Sequence, residues 1–275
     1  AQESLSLRQR LVRLAGFDRS ADAGRTALAT IESALARTHG ALTEARTLAL
    51  GGASDLDDAN ETRAVEVEAL RDELLALANT SQSGRYLFGG TETTEPPFAT
   101  DGSYSGNADE VGAPIDSDET VGATLSGSRV FADGGDIFTI MTDLADALRS
   151  GPPEDVAALA PALTAAMDHV TGVQSEIGTR MQRIDRVLER HGDEELVLID
   201  RISSIEDADL AEVVVALQQT DLSINALSAA SGRVLGRSLF DYLGRHRRKT
   251  THSRTIRSSG STRGSSVFRA PGAFN

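Results

Sequence analysis

Clustered carboxylates are the side chains in this sequence with the clearest potential for chemistry, because they can bind cations and transfer protons. The segment 101–106, DGSYSG, resembles the first half of a calcium-binding loop. The twelfth position of that loop would be Gly112 instead of the bidentate Glu that calcium loops need, so a turn is favoured. Asp55, Asp57 and Asp58 follow a Gly-Gly pair, and capping of the next helix is a better interpretation of them than metal binding.

Histidines, nucleophiles and phosphate loops give no stronger signal. None of the five His residues stands at a metal spacing such as HExxH, and the chain has no Cys for a thiolate site or a disulfide. The segment 122–127, GATLSG, lacks the Lys-Ser/Thr end of a phosphate-binding loop. The sequence therefore predicts no catalytic, cofactor-binding or metal-binding residue and no enzyme. A triad assembled from distant residues stays open, because triads are recognised by geometry.

The strongest pattern is one of packing and lies in the segment 199–243. Apolar residues, with Thr220 and Ser231 in two places, recur there in steps of 3, 4, 3, 4, 3, 4 and 3. This single heptad register, which we call the seam, predicts a helix with one apolar stripe that needs another helix against it. A helix that covers the core of its own domain is the alternative interpretation. We predict a subunit interface formed by the apolar seam residues, Leu210, Val213, Leu217, Ile224, Leu227 and Val234.

The composition narrows the class of protein. Eight of the 27 basic residues and none of the 41 acidic residues lie in 244–275, so residues 1–243 carry a formal charge of −22 and would repel nucleic acid and anionic membranes. Aromatic residues make up 4% of the chain and Trp is absent, which is typical of long helices packed through aliphatic side chains. No run approaches the ~20 apolar residues of a membrane span, so the sequence predicts no membrane partner.

Apolar stripes predict helices over residues 11–49, 56–80, 137–148 and 154–190. Gly51-Gly52 is predicted to end the first of them. We expect the first, second and fourth helices to form an antiparallel bundle around their stripes. The stripe positions are Leu28, Ile31, Leu35, Thr38, Leu42, Ala45 and Ala49, then Ala64, Val67, Leu70, Leu74 and Leu77, then Val156, Leu159, Leu163, Ala166, Val170, Val173, Ile177, Met181, Ile184 and Leu188. His191-Gly192 is predicted to bend the chain before the seam.

Residues 83–135 differ from the rest, because they are rich in Gly, Ser, Thr, Asp and Pro with short apolar clusters between them. Pro96-Pro97 excludes a regular helix there, and the pattern predicts a small β-rich insertion with several turns. The fold class that follows is mainly α. It consists of long antiparallel helical rods, or coiled coil, with a small β-rich insertion at the hairpin end.

Four segments carry a resemblance to a known family. They are NTSQSGRYLFGGTETTEPPF (79–98), EIGTR (176–180), SSIEDADLAE (203–212) and SLFDYL (238–243). Over about residues 1–243 the chain resembles the flagellin superfamily, and within it the hook–filament junction proteins, the hook-associated protein 3 group. The YLFGG segment followed by PF, and the SLFDYL ending, favour the junction group over filament flagellin, which stays the alternative.

The resemblance implies a structural axial protein of the bacterial flagellum, exported through the type III flagellar channel and placed outside the cell at the hook–filament junction. It implies copies of the chain as partners, hook-associated protein 1 on the hook side, and flagellin or the cap on the filament side. An export chaperone is a further candidate partner. A stalked surface-recognition module that uses the insertion is the alternative from a different functional class.

The chain departs from the family at both ends. The family begins with a helix that pairs with the C-terminal seam, and we expect that helix to lie upstream of Ala1, in an N-terminal part that is missing. Without it, the seam helix is expected to fray in a monomer or to pair with a second copy. The family ends at SLFDYL, whereas 244–275 is basic and rich in Ser, Arg and Gly. We expect this tail to be disordered and foreign to the native protein, with a native arm for nucleic acid or anionic surfaces as the alternative.

The predicted domain organisation follows the changes in composition and in apolar spacing along the chain. Residues 1–82 are the N-terminal helices of the rod, 83–135 the outward insertion and 136–205 the return helices. Residues 206–243 are the C-terminal coiled-coil helix, and 244–275 the tail.

Overall fold

The computed structural model describes residues 2–54 and 59–247, with side chains described for 2–53 and 59–232. Its elements are α1 (Gln2–Ser54), α2 (Ala59–Ala78), β1 (Ser81–Gln82), β2 (Arg85–Tyr86), β3 (Gly112–Asp116), β4 (Glu119–Gly122), α3 (Gly127–Phe131), α4 (Ile137–Ser150) and α5 (Pro153–Arg247). The contacts divide the chain into two units, Ala1–Glu206 and Asp207–Asn275, which are described in turn.

The first unit is built around α1, which lies antiparallel to α2 and to the first-unit part of α5. Arg25 of α1 pairs with Asp185 at 2.7 Å and Arg10 with Glu194 at 2.6 Å, so a residue nearer the start of α1 meets a residue farther along α5. Arg37 of α1 pairs with Glu73 of α2 at 2.7 Å. The heptad spacing brings the apolar stripes of these helices together.

The predicted stripes form the core of this bundle. Leu28, Ile31 and Leu35 of α1 share one continuous buried cluster with Val170, Val173 and Ile177 of α5 and with the stripe of α2. This confirms the predicted bundle. The end of the α5 stripe differs from the prediction by one residue. The stripe was predicted to end at Leu188, which is half-buried, whereas Val187 is the buried residue.

The predicted end of the first helix at Gly51-Gly52 is wrong. α1 continues through Gly51-Gly52 to Ser54, and Gly52 instead allows close packing. A Cβ at Gly52 would lie 2.2 Å from Leu148 Cδ2 of α4, so the missing side chain makes room for a neighbouring helix. At His191-Gly192, where a bend was predicted, α5 remains helical and His191 is buried against α1, and the bend stays a prediction.

The insertion is held together by aromatic rings more than by its short strands. β1 pairs with β2 and β3 with β4, both antiparallel. The ring centroids of its aromatic cluster lie 5.0 to 5.8 Å apart. Because Phe138 belongs to α4, the cluster joins the insertion to the rod. The mainly α fold with a small β insertion is thereby confirmed, and the insertion follows the end of α2 and lies against the side of α1 at Gly24. The cluster consists of Phe88, Phe98, Tyr104, Phe131 and Phe138.

The described part of the second unit is a single helical segment, residues 207–247 of α5. Every described side chain from Asp207 to Gly232 is exposed. Residues 244–247 of the predicted tail continue the helix, and residues 248–275 lie outside the described part, so the tail stays a prediction. The domain boundaries at 82, 135 and 205 stay a prediction.

One helical segment of the structure is apolar enough to be compared with a membrane span, although no apolar run of that length was found in the sequence. The helical segment Pro153–Gly232 contains an 18-residue window of mean hydropathy 1.3, so by length and composition alone it could cross a membrane. Val156, Leu163 and Ala166 of this segment are buried in the first unit, and 28% of the window is buried. One such window is weak evidence for a membrane span.

Candidate assembly interface

The seam lies on the second-unit helix with its side chains exposed. Of the six predicted interface residues, Leu210, Val213, Leu217, Ile224 and Leu227 are 56 to 70% exposed. The side chain of Val234 lies outside the described residues. The helix therefore presents the described seam residues together along one stripe, and no other described element covers them.

The local sequence of this segment favours a helix. Ala, Leu and Gln favour the helix, and no Pro occurs between Pro161 and Arg247. The hydroxyl groups of Thr220 and Ser223 donate to the carbonyl oxygens of Ala216 and Gln219, at 2.9 and 2.8 Å, so these polar side chains are satisfied within the helix. The spacing of the apolar residues alone sets the course of the stripe along the helix.

The first unit shows what such a stripe does when a partner is present. Leu35 and Leu42 occupy the same kind of heptad position in α1 and are fully buried. Full burial of a Leu, Ile or Val side chain stabilises by about 1.5–3 kcal/mol, which is an upper estimate because unfolded chains already bury some surface. The exposed seam can therefore supply a large association free energy to a second helix.

Sequence reasoning missed three exposed apolar residues on the same helix. Val214, Val215 and Leu222 are outside the seam register, yet all three are exposed. The signal that could have found two of them is the seven-residue spacing between Val215 and Leu222. The sequence was interpreted in the seam register alone, so the seven-residue spacing of these two residues was not identified.

The calcium-like segment forms a turn. The carboxylate of Asp101 accepts a hydrogen bond from the backbone N–H of Ser103 at 2.9 Å, and Gly102 has a φ of 89°. Hydrogen bonds from the side chain and the backbone of Ser103 lower the pKa of Asp101. The Asp101 carboxylate therefore stabilises the turn that contains it.

A network of four charged side chains joins the insertion to α5 at the EIGTR segment. Arg180 donates to Glu110 at 2.7 and 2.9 Å and to Glu176 at 2.7 Å, and Arg129 also pairs with Glu176. Burial by itself raises the pKa of Glu176, but the hydrogen bond and charge of Arg180, together with Arg129, outweigh it, so the pKa is lowered. The motif fixes the insertion in place.

A second connection between the insertion and the rods is centred on His191, which is 2% exposed. Its Nδ1 lies 2.6 Å from Asp18 Oδ1 of α1, and its Nε2 lies 3.7 Å from Asp116 Oδ2 of β3. Asp116 also accepts from Arg190 at 2.8 Å. The backbone N–H of Ser117 is the largest influence that lowers the pKa of Asp116, and Arg190 and His191 add to it against the effect of burial.

Comparison with known proteins gives both sequence and structural relatives. No family model matches the chain. Over 211 residues the chain is 26% identical to flagellar hook-associated protein 3 of Escherichia coli (strain K12), and the match covers 67% of this chain and 66% of that protein. The matched region is thus slightly less than two thirds of the relative's length.

Two solved structures share the fold. Bacillus cereus FlgL has a TM-score of 0.65 at 20% identity, covering 72% of this chain and 99% of that one. The flagellar junction protein FlgL from Legionella pneumophila has a TM-score of 0.62 at 15% identity, covering 72% and 98%. At these identities the structural matches speak for the fold alone.

Proposed function

We propose that this chain, a homologue of proteins named flagellar hook-associated protein 3, is a structural component of the junction between hook and filament of the bacterial flagellum. Its seam packs against helices of neighbouring subunits. The observation that carries the proposal is the exposure of the described seam residues, which no other element in the described part of the second unit covers.

The names of the relatives favour the junction over the filament. The curated sequence relative is a hook-associated protein, and one structural relative is named as a flagellar junction protein. Filament flagellin stays the alternative within the same class. The partners that follow from the junction role are copies of the chain, hook-associated protein 1, and flagellin or the cap, with export by the flagellar type III channel and an extracellular location.

The seam is tested by a pair of charged substitutions that leave the first unit untouched. Leu217→Asp combined with Ile224→Asp places two carboxylates on the seam, which should abolish self-association measured by analytical ultracentrifugation. The matched control is Ser223→Asp combined with Ala230→Asp, which adds the same charge at the same spacing on another face of the helix. Self-association that survives in the seam variant as in the control would sink the proposal.

Helix content, measured by circular dichroism, tests the role of the seam independently of the mass of the assembly. If the seam helix is stabilised by a second copy, circular dichroism of the unsubstituted chain should lose helical signal on hundredfold dilution, because an isolated helix is only marginally stable. Unfolding of the first unit should be unchanged in the seam variant. A seam variant that unfolds the whole chain would show that the stretch belongs to a core.

The junction role itself is tested on isolated flagellar structures. Purified chain should bind to the distal end of hooks, seen by electron microscopy, and the seam variant should not. Binding along filaments instead of hook ends would favour the flagellin alternative. Binding of glycans by the full chain, unaffected by the seam substitutions, would favour the surface-recognition module.

A further inference from the structure

A groove with a volume of about 460 Å³ lies between α1 and the insertion. One wall is the face of α1 around Ala23 and Ala27, and the others are the β1–β2 hairpin and the adjoining ends of β3 and β4. α1 and β3 come close at Gly24, where a Cβ would lie 2.9 Å from Ala113 Cβ. Because the α1 residues that line the groove have small side chains, the space beside this contact stays open. Its volume lies within the range of small-molecule sites, about 300–1,000 Å³.

The lining of the groove is mostly apolar. Two of its hydroxyl groups already donate within the protein, because Thr26 donates to the Asp22 carbonyl oxygen at 2.8 Å and Thr124 to the Gly90 carbonyl oxygen at 3.0 Å. The groove therefore offers few polar groups to a ligand, and a sugar or a nucleotide would lose more hydrogen bonds to water than it regained. The apolar lining residues are Ala23, Ala27, Leu87, Val111, Ala113 and Ala123.

Arg85 is the one charged residue among the described residues that line the groove, so no described carboxylate lines it. Its Nε donates to Thr93 Oγ1 at 3.2 Å, and it pairs with no carboxylate in the described part of the chain. The hairpin fixes its position, because Arg85 is paired with Gln82 across a two-residue turn. In a chain whose residues 1–243 carry a formal charge of −22, this guanidinium makes the groove a place where an anion is attracted locally.

We propose that the groove binds a small carboxylic acid with an apolar body, its carboxylate paired with the Arg85 guanidinium. The planar fork of N–H donors matches the geometry of a carboxylate and can bind both of its oxygens. Because Nε donates to Thr93, the two terminal nitrogens stay available for this pair. The apolar body lies along Ala23, Ala27 and Leu87, where its surface is removed from water. The groove belongs to the first unit, so this binding goes beyond the proposed function and does not depend on the seam.

The test is a titration of the full chain followed by amide NMR spectra. Octanoate is the acidic probe, and 1-octanol is the neutral probe with a chain of the same length. Octanoate should cause saturable shifts of the amide signals of Ala23, Leu87 and Ala113. It should bind about tenfold or more tightly than 1-octanol, because the alcohol cannot form the charge-assisted pair with Arg85.

Substitutions separate the contribution of charge from that of the apolar lining. Arg85→Gln should lower the affinity for octanoate by about tenfold or more and leave the affinity for 1-octanol unchanged. Arg46→Gln removes an equal charge from an exposed position of α1 outside the groove, and this matched control should bind both probes as the unsubstituted chain does. Ala23→Leu fills the groove from an exposed position and should weaken the binding of both probes. The seam variant should bind octanoate unchanged, so the two proposals can fail separately.

Three results would overturn the proposal. The first is the absence of saturable shifts at the groove amides with millimolar octanoate. The second is equal affinity for the two probes, or full affinity for octanoate in the Arg85→Gln variant, because either would show that Arg85 does not hold the carboxylate. The third uses an acetylated tripeptide of two alanines and a C-terminal leucine. If it binds the groove more tightly than octanoate, and its amidated form does not bind, the occupant is the end of a peptide chain instead of a free acid.

Discussion

Asn79 forms two reciprocal hydrogen bonds with the main chain of Phe98. Its Nδ2 donates to the Phe98 carbonyl oxygen at 2.9 Å, and its Oδ1 accepts from the Phe98 N–H at 3.0 Å. One amide side chain thereby fixes a distant segment of the insertion at the end of α2, and it places the Phe98 ring in the aromatic cluster. These two residues are also the ends of the 79–98 segment that carries the resemblance to the flagellin superfamily.

Replacing Asn79 by Ala should therefore destabilise the first unit. The Phe98 N–H and carbonyl would lose their partner in a half-buried site, which costs about 1–3 kcal/mol. Near-ultraviolet circular dichroism of the tyrosines during urea unfolding would report it, because the Phe98 and Tyr104 rings lie 5.0 Å apart. Gln182→Ala, which removes an exposed amide from α5, is the control and should change the free energy of unfolding little.

The Arg180 network makes the attachment of the insertion sensitive to acid. The pKa of Glu176 is lowered in the folded protein from a model-peptide value of 4.5, so its contribution is fully present above that pH and is lost as the pH falls through the lower folded value. Glu176→Gln should lower the free energy of unfolding at pH 7, and the difference from the unsubstituted chain should shrink progressively below about pH 4.5. Urea unfolding across this range measures it. A difference that is constant with pH would show that the charge of Glu176 does not stabilise the network.

His191 should be a large contributor to the stability of the first unit, because it is buried at the meeting point of α1, β3 and α5. His191→Ala leaves a cavity and removes the hydrogen bond to Asp18, which together cost roughly 2–4 kcal/mol. His191→Gln retains a donor and should cost less. His39→Ala at a half-buried position of α1 is the control, and an equal loss there would show that the effect is not specific to the buried site.

The apolar stripes of the helices could be predicted from the sequence, whereas features that depend on contacts between distant residues could not. Heptad spacing predicted the buried faces of α1, α2 and α5, because a helix with one apolar stripe has few ways to pack. The helix end assigned to Gly51-Gly52 was misplaced because it depends on a distant neighbour, Leu148, which packs where a Gly52 side chain would lie. The seam was predicted from its spacing in the same way, and its role as an interface stays a prediction. The aromatic cluster was missed, since its rings come from segments that carry no shared period.

Gly24 and Gly40 lie in the same helix and should respond to substitution by Ala with opposite signs. A Cβ at Gly24 would lie 2.9 Å from Ala113 Cβ of β3, an atom fixed to the backbone, so the insertion would have to shift away from α1. We expect Gly24→Ala to destabilise the first unit by about 1–3 kcal/mol, as overpacking does. Gly40 has nothing within 4 Å of the same position, so Gly40→Ala should stabilise the unit by roughly 0.5–1 kcal/mol through helix propensity. Thermal unfolding of both variants compares the two effects directly, because the backbone change is identical. Equal stabilisation by both substitutions would show that β3 does not pack closely on α1 at this point.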